Sequence, residues 1–523
     1  MPEKTHPSKA ATTQKPPDMK EIMADYDKAV KFFSSMPAEA WEGLGQKTAL
    51  SVFQETAKTI PAYQEFLKLQ KINPENIKTP EDFYQIPAMD KYNYIQVYGF
   101  NEVNNAKAGK NLNSFSLSSG TVDEPTIWPR YYPAEEILPL VVGNFIRQYW
   151  HIDKKSTLFI NALALGPWNA GFTMFAALKP LTLKYNLTLA NCGADIESIV
   201  YTVTKLSKFY DQTVILSYTT FCRTILDRLE EAKIDFKKNH FKLFVGGEGH
   251  TAEWRQYMNE LLTGNPDDLT AIIDTYGISE AGVIGLSSAM TNLVRDLAFK
   301  NERLREDLFG KTNCVPNLFQ FNTGQYVIED LNGEILLTSK VGTPLVRYNL
   351  HDRGGVIRFR EMEEKLKKHG YDYRKLIRKA GLSEEIIVQQ PFVYCFGRRE
   401  DTVIVAGANI YPEQIAPALF NDKVKNIHSF KLAANFDNEQ HQLSYVLMEL
   451  KSGISYNKKQ IEKIKKKYHD LILKRLLRVN NDYAESLRAD PKFADLIIEI
   501  FENGEGPFNG DRARTKPKLV LKK

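Results

Sequence analysis

The spacing of apolar residues divides the chain into segments with different predicted structures. From about residue 19 to residue 67, apolar side chains recur every three or four positions, which predicts helices. Thr79-Pro80-Glu-Asp82 has the sequence of a helix start, with Thr79 as the N-cap and Pro80 at the first helical position. The polar residues 1–18 are predicted to form a disordered tail.

Between about residues 114 and 357, short apolar runs typical of β-strands alternate with helical segments. The predicted strands are Thr157–Asn161, Gln212–Leu216, Phe241–Val245 and Ala271–Asp274, and the predicted helices are Pro133–Tyr149, Ile196–Leu206, Tyr218–Ala232 and Ala252–Leu262. This alternation predicts an α/β fold with a mainly parallel sheet. Farther along, Tyr326–Glu329 and Glu334–Ser339 are joined by Asp330-Leu-Asn-Gly333, which predicts a β-hairpin.

The pattern changes twice more before the end of the chain. Residues 361–380 are charged and helical in pattern, and we expect a helical insertion over about 361–390. After Asp401 the pattern restarts, with strand-like runs at Thr402–Val405, Phe430–Ala434 and Tyr445–Leu450 before a lysine-rich helix near Lys458–Leu477. We therefore predict a large domain over residues 19–399 and a small α+β domain over residues 400–523.

Composition restricts the class of protein further. The 523 residues are 43% hydrophobic and 25% charged, as expected for a globular protein of more than one domain. The net charge of +5 is too small to indicate a nucleic-acid partner. The four cysteines are far apart with no CxxC pair, so neither a zinc site nor a disulfide framework is predicted. Because the sequence contains no run of about 18 apolar residues and no apolar leader, we predict no membrane span and a cytoplasmic location.

Two glycine-containing motifs lie where a ligand would meet the backbone. Ser118-Ser119-Gly120-Thr121 offers N–H and O–H donors at close range, as polyphosphate binding requires, although its spacing differs from that of a Walker A loop. Gly246-Gly247-Glu248 directly follows a predicted strand. Ligands of open α/β sheets bind at the carboxyl ends of the strands, so this motif is a candidate binding loop.

Two further motifs contain carboxylates. In Asp274-Thr-Tyr-Gly-Ile-Ser-Glu280, the ring of Tyr276 can stack on a base, Gly277 and Ser279 shape a tight turn, and Glu280 can bind Mg²⁺. In Arg347-Tyr-Asn-Leu-His-Asp352, the carboxylate of Asp352 offers two acceptor oxygens, and Arg347 is predicted to brace the loop. Both motifs are therefore candidates for a nucleotide site.

A fifth motif, Gly397-Arg398-Arg-Glu400-Asp401, is followed by Gly407-Ala-Asn-Ile-Tyr. In this order, the five motifs resemble those of the acyl-adenylate-forming enzymes, closest to the phenylacetate–CoA ligase branch. The resemblance covers roughly residues 50–523 apart from the segment at 361–390. The chain departs from the family pattern at Val122 and Asp123, which replace Thr and Gly, at Gly249, which replaces a proline, and at His351, which replaces a glycine.

The resemblance implies a large adenylate-forming domain, a small mobile C-terminal domain and a role for each motif. The phosphates of ATP would be bound by Ser118, Ser119, Gly120 and Thr121, and the nucleotide base side by Gly247, Glu248, Tyr276, Gly277 and Ser279. Asp352 would bind the ribose, Arg398 the ribose or a phosphate, and Glu280 Mg²⁺. Glu400 would be the hinge, and Lys516 near the C-terminus, with Lys518 as the alternative, would bridge the carboxylate and the α-phosphate. The loop from Gly407 would face a thiol channel after the small domain rotates. Trp168, Phe172 and Phe175 are candidates for an acyl pocket, with a core role as the alternative.

The function implied by the resemblance is ATP-dependent activation of an aryl or other small carboxylic acid to acyl-AMP, followed by transfer to a thiol, with CoA as the expected acceptor and a homodimer as a plausible assembly. One alternative is a different acceptor: a carrier protein, an amine or an enzyme cysteine such as Cys395. The other alternative is a non-catalytic protein that binds a nucleotide or an acyl group, which the negative charge of Asp123 in the phosphate loop favours.

Overall fold

The structure is a computed structural model that describes residues 19–104, 112–117, 126–131, 134–166, 169–312, 314–398, 403–419, 426–451, 453–509 and 520–522. The described residues begin with six α-helices: α1 (Met19–Ala24), α2 (Tyr26–Ser35), α3 (Ala38–Thr59), α4 (Pro61–Leu69), α5 (Pro80–Phe83) and α6 (Phe100–Val103). Thr79 caps α5 through a hydrogen-bonded capping box with Asp82, as the sequence predicts. The predicted tail at residues 1–18 lies outside the described residues.

One sheet of eleven strands forms the centre of the molecule. Its strands are β3 (Thr157–Asn161), β4 (Leu187–Asn191), β5 (Gln212–Tyr218), β6 (Phe241–Gly246), β7 (Ile272–Ile278), β8 (Gly282–Leu286), β9 (Asn317–Gln320), β10 (Val327–Leu331), β11 (Glu334–Ser339), β12 (Leu345–Ile357) and β13 (Phe392–Arg398). They follow the order β10-β11-β12-β13-β9-β8-β7-β6-β5-β3-β4. A separate antiparallel pair, β1 (Leu112–Leu117) and β2 (Ile127–Tyr131), precedes this sheet in the chain.

The α/β architecture predicted from the sequence is confirmed. The four predicted strands are β3, β5, β6 and β7, which lie side by side and are parallel. From β7 to β10 the neighbouring strands are antiparallel, and β10 and β11 form the predicted hairpin. The turn of this hairpin is Asn332-Gly333, with left-handed φ angles of 56° and 78°.

Helices cover both faces of the parallel part. They are α7 (Ala134–Trp150), α8 (Asn169–Leu178), α9 (Ile196–Leu206), α10 (Thr219–Glu231), α11 (Ala252–Thr263), α12 (Ala289–Lys300) and α13 (Glu302–Phe309). Side chains from α9, α10 and α11 form one apolar cluster with the sheet, and side chains from α7, α8 and α12 form another. No helix in the described part of the chain is long and apolar enough to cross a membrane.

The charged segment expected as an insertion contains two helices, α14 (Phe359–Lys368) and α15 (Tyr373–Lys379). Their apolar side chains, including Phe359, Leu366 and Ile377, are buried in the same cluster as α7 and α12. The segment is therefore part of the core of the structure, packed by one apolar face with its charged residues outward.

The residues after 403 form a unit with an apolar core of their own. Its elements are β14 (Val403–Val405), β15 (Ala408–Ile410), α16 (Pro412–Leu419), β16 (Ile427–Phe436), β17 (Gln442–Leu450), α17 (Lys458–Val479), α18 (Asn481–Ala489), β18 (Leu496–Phe501) and β19 (Val520–Lys522). A four-stranded sheet in the order β18-β17-β16-β19 packs on α17. We call residues 19–398 the N-terminal unit and residues 403–522 the C-terminal unit.

Candidate active site

A cleft of about 1120 Å³ lies at the carboxyl ends of β5, β6 and β7 and extends to the C-terminal unit. Its walls include Gly246–Glu248, Tyr276, Ser279 and Asp352 from the N-terminal unit. Val403, Gly407 and Asn409 line it from the C-terminal unit. Four of the five sequence motifs therefore contribute to one cleft at the edge of the sheet where ligands of α/β proteins bind.

The glycines of the Gly246-Gly247-Glu248 motif are required by packing within the protein. A Cβ atom on Gly246 would overlap the hydroxyl of Thr275. Gly247 has a left-handed φ of 78°, and a Cβ there would lie 3.0 Å from the ring of Tyr218. Gly249, which replaces the proline of the family pattern, would overlap the side-chain amide of Asn317 if it carried a Cβ. The loop is thus held close to the ends of β5 and β7.

Glu248 connects the two units. Its carboxylate accepts a hydrogen bond from the backbone N–H of Gly407, and its backbone carbonyl accepts one from the hydroxyl of Thr219 at 3.1 Å. The ring of Tyr218 lies beneath this contact, because a Cβ on Gly407 would be 3.2–3.3 Å from its carbons. The predicted role of Glu248 was on the adenine side, and sequence reasoning did not identify this second partner.

Tyr276 and Asp352 lie together in the cleft. The hydroxyl of Tyr276 donates a hydrogen bond of 2.5 Å to Oδ2 of Asp352, and both residues are 8% exposed. The Tyr276 ring stacks on Phe319, with centroids 5.5 Å apart and planes 22° apart. His351, at the glycine position of the family pattern, has the left-handed φ of 57° that such a position favours.

Arg347 braces the strand that carries Asp352, as predicted. It is 7% exposed, its Nε lies 2.5 Å from a carboxylate oxygen of Glu329, and its guanidinium also donates to the backbone carbonyls of Tyr84 and Ile86. These bonds join β12 to β10 and to the chain after α5. The role predicted for Arg347 is confirmed.

Arg130, which sequence reasoning missed, organises the turn that contains Glu280. Its guanidinium donates to the carbonyl of Ser279 at 2.6 Å, to that of Glu280 at 3.4 Å and to the hydroxyl of Ser116 at 3.3 Å. Since Ser116 lies on β1, this contact brings the end of β1 beside the turn that contains Glu280. The only sequence signal was a single arginine in an otherwise apolar strand, Ile127–Tyr131.

A buried polar network lies behind the Gly246–Glu248 loop. Nε2 of His250 is 3.1 Å from Oδ2 of Asp274, and Arg295 donates to the backbone carbonyl of His250 at 2.6 Å. Burial lowers the pKa of His250, and the nearby charge of Arg295 lowers it further while Asp274 opposes the shift. Burial likewise lowers the pKa of Arg295 to about 10. Neither His250 nor Arg295 lies within one of the sequence motifs, so sequence reasoning did not identify them.

Several predicted site residues are described only in part or not at all. Arg398 ends β13, where its backbone pairs with Asp352, but nothing is described of its side chain. Ser118, Ser119, Gly120, Thr121, Glu400 and Lys516 lie outside the described residues. The expected aromatic acyl pocket needs correction: Phe172 is 42% exposed because its face of α8 points to solvent, while Thr173 and Met174 of the same helix line the cleft. Trp168 lies outside the described residues.

Comparison of the sequence with protein-family models gives no match, and comparison with curated protein sequences gives none either. Among solved structures, 2-hydroxyisobutyryl-CoA ligase in complex with 2-HIB-AMP and CoA, in the thioesterification state, matches with a TM-score of 0.61 at 13% identity, covering 93% of this chain and 91% of that one. The same ligase in the postadenylation state with R3-HIB-AMP matches with a TM-score of 0.53 at 13% identity, over 94% of this chain and 91% of that one. The acyl acid amido synthetase AtGH3.15, in complex with 2,4-DB, has a TM-score of 0.47 at 10% identity, with 97% and 95% covered. Over nearly its whole length, the chain has the fold of 2-hydroxyisobutyryl-CoA ligase.

Proposed function

We propose that this protein activates a carboxylic acid with ATP and transfers the acyl group to a thiol, with CoA as the acceptor. The observation that carries the proposal is the convergence of four separate sequence motifs on one cleft between two units. The shared fold with an acyl-CoA ligase supports it. Since the fold alone does not define a reaction, the proposal rests on the residues of the cleft.

In the first step, an oxygen of the substrate carboxylate attacks the α-phosphorus of ATP. A new P–O bond forms, the bond to the β-phosphate oxygen breaks, and pyrophosphate leaves with the electron pair. Asp352 lies in the cleft with its orientation fixed by Tyr276, and it is proposed to accept hydrogen bonds from ribose hydroxyls. Lys516 is proposed to stabilise the charge that develops on the α-phosphate.

Glu280 is the proposed Mg²⁺ ligand. It follows β7 in a turn that Arg130 holds, at the end of β1 where the proposed phosphate loop begins. Among the described residues, no group of three His, Cys, Asp or Glu side chains could hold a metal ion. One carboxylate completed by substrate phosphates and water is an arrangement that Mg²⁺ accepts, and the ion would supply positive charge to the phosphates.

In the second step, the thiol sulfur attacks the acyl carbonyl carbon, and AMP leaves with the electrons of the acyl–oxygen bond. We assign the present arrangement of the units to this step, because the Gly407 loop already lies in the cleft against Glu248 and Tyr218. The greater similarity to the thioesterification state of the ligase supports this assignment. Glu400 is the proposed hinge between the two steps.

A different acceptor is the second candidate, and one observation favours it. Cys395 lines the cleft and is 7% exposed, and its sulfur accepts a hydrogen bond of 3.2 Å from the N–H of Gly397. A cysteine in that place can capture an acyl group from the adenylate. Recovery of an acyl adduct on Cys395 after incubation with ATP and acid, by mass spectrometry, would favour this acceptor over CoA.

The proposal is tested by carboxylate-dependent ATP–pyrophosphate exchange across a panel of aryl, fatty and amino acids, with wild-type protein and the Lys516→Ala variant. We expect exchange with one class of acid and its loss in the variant. Exchange that persists in the variant means that Lys516 is wrongly assigned. No exchange with any acid, despite measurable ATP binding, means that the protein binds nucleotide without catalysis, the reading that Asp123 favours.

A further inference from the structure

Helix α10 contacts the C-terminal unit through two polar side chains that the proposed chemistry does not use. Thr224 and Asp227 lie on the same face of the helix because they are three residues apart. The hydroxyl of Thr224 donates a hydrogen bond of 2.5 Å to Oδ2 of Asp490. The carboxylate of Asp227 contacts Nε2 of His441.

His441 is held firmly on its own side of this contact. Its side chain is 5% exposed, and its Nδ1 lies 3.0 Å from a carboxylate oxygen of Asp437. Its ring is parallel to that of Phe493, with centroids 4.2 Å apart. Both ring nitrogens therefore face carboxylates, one from each unit.

Two of the other three partners, Asp227 and Asp490, are also held by residues of their own unit. Asp227 is paired with Arg223, a residue four positions earlier on α10 whose side chain is 5% exposed. Oδ1 of Asp490 accepts a hydrogen bond of 3.1 Å from the N–H of Phe493, the residue that stacks on His441. The two contacts across the units thus share Phe493 as a supporting residue, through its backbone N–H and its ring, and form one cluster.

The distance between this cluster and the Gly407 loop determines how the cluster restrains the C-terminal unit. Tyr218 and Thr219 lie beneath the Gly407–Glu248 contact. Tyr218 immediately precedes α10, and Thr219 is the first residue of this helix. Asp227 is eight residues farther along, which is about 12 Å at the rise of an α-helix. A second contact at that distance restricts rotation of the C-terminal unit about the first.

We propose that Thr224, Asp227, His441 and Asp490 form a clamp that positions the C-terminal unit for the thiol-transfer step. This inference rests on the proposed function, since it assigns the present arrangement to that step. The clamp opens when the unit rotates for adenylation, so its residues act through the position of the Gly407 loop and touch no substrate. They are therefore positioning residues for the thiol-transfer step and not for adenylation.

The test uses the full-length chain with the single variants Asp227→Ala and His441→Ala, the double variant, and Thr224→Val, which removes the second contact with little change in size. Glu231→Ala is the matched control, because Glu231 is on the same helix but exposed, and its ion-pair partner within the described part of the chain is Arg228 of that helix. Hydrogen–deuterium exchange of residues 403–411 reports the seating of the Gly407 loop without any substrate. ATP–pyrophosphate exchange and CoA-thioester formation, with phenylacetate and then the rest of the acid panel, report the two steps separately.

We expect Asp227→Ala, His441→Ala and Thr224→Val to speed deuterium uptake in residues 403–411. We also expect them to slow CoA-thioester formation by about tenfold, as loss of a charge-assisted hydrogen bond predicts, with pyrophosphate exchange unchanged. The double variant should be no slower than either single variant, because both remove one contact. Glu231→Ala should behave as wild type.

Two outcomes overturn the clamp. In the first, deuterium uptake and the rate of thioester formation match wild type in all the variants. In the second, the rates of pyrophosphate exchange and of thioester formation fall equally, which indicates a general structural role. A wild-type protein with no pyrophosphate exchange for any acid contradicts the proposed function instead. In that case the deuterium uptake still decides whether these four residues hold the C-terminal unit in place.

Discussion

At the scale of single residues, the candidate site also depends on side chains outside the sequence motifs, and His250 is an example. Its imidazole lies against Asp274, which is two residues before Tyr276, and its backbone carbonyl is bound by Arg295. His250 is itself two residues after Glu248. The network thus joins the two loops that carry the candidate nucleotide residues and fixes the distance between them.

Because His250 has a lowered pKa in the folded protein, stability should depend on its protonation. The pKa of an unperturbed histidine is about 6.5, whereas burial lowers the pKa of His250 in the folded protein. Below about pH 6.5 the unfolded chain therefore binds a proton that folded His250 does not. The free energy of unfolding therefore falls as the pH drops below about 6.5. We expect urea unfolding at pH 7.5, 6.5 and 5.5 to show a smaller loss of stability in His250→Gln than in wild type.

The control for this measurement is His428→Gln, a change of an exposed histidine on β16. Its loss of stability between pH 7.5 and pH 5.5 should equal that of wild type. If His250→Gln also follows the wild-type pH dependence, the folded protein takes up a proton at His250 as readily as the unfolded chain does. The burial argument for this residue would then be incorrect.

The residues that could be selected as candidates from the sequence are those that belong to a short motif. Tyr276 and Asp352 were both placed in a nucleotide site from their motifs, and they share a hydrogen bond in the cleft. The contact of Glu248 with Gly407 joins residues 159 positions apart, and no local pattern records it. Arg130 is a single charge in an apolar strand, and Arg295 is one of several polar residues on α12, so neither differs in sequence from an ordinary strand or helix position.

At the scale of secondary structure, the two tight turns at Ala406-Gly407 and Asn332-Gly333 have similar geometry and different surroundings. Each joins two antiparallel strands, β14 to β15 and β10 to β11, with left-handed φ angles at both turn residues. A Cβ on Gly407 would be 3.2 Å from the ring of Tyr218, whereas a Cβ on Gly333 would meet nothing within 4 Å. The pair separates the effect of backbone strain from that of contact between the units.

We expect Gly407→Leu and Gly333→Leu to lose similar stability, about 1–2 kcal/mol each, because both place a side chain at left-handed φ. Only Gly407→Leu should also slow CoA-thioester formation, since its side chain would displace the loop from Tyr218. The measurements are urea unfolding and the rate of thioester formation. A thioester rate in Gly407→Leu equal to that in Gly333→Leu would contradict the seating of the loop on Tyr218.

The sequence predicted regular elements well where each has a single buried face or is fully buried. The four parallel strands and α9 were located within a few residues, and the hairpin was predicted from the connection Asp330-Leu-Asn-Gly333, of which the structure uses Asn332-Gly333 as the turn. Strands β9, β12 and β13 were not predicted. β12 runs for 13 residues with charged residues and register shifts in its pairing with β11, so its alternation of apolar and polar positions is broken. The charged segment with α14 and α15 was expected as an addition to the fold, yet its sparse apolar residues are enough to join the core.

At the scale of the whole molecule, the two units have separate apolar cores that meet at the cleft. The core of the C-terminal unit contains residues from β14 onward, and the clusters of the N-terminal unit are built from residues before 398. The sequence indicated this division through the restart of its pattern after Asp401. It contained no information on the arrangement of the units, because the groups that join them, such as Thr224 with Asp490 and Glu248 with Gly407, are far apart in the chain.

Separate cores lead to a prediction about thermal unfolding. Tyr276, Asp352 and Gly247 all belong to the N-terminal unit, so AMP should stabilise that unit first. At a concentration of one hundred times its dissociation constant, AMP should add about 2.7 kcal/mol to the free energy of unfolding of this unit. In scanning calorimetry we expect two transitions, with AMP raising the temperature of the one that belongs to the N-terminal unit and leaving the other in place. Asp352→Ala is the control that should remove the shift. Equal shifts of both transitions would mean that AMP bridges the units, and an undiminished shift in Asp352→Ala would mean that the nucleotide binds elsewhere.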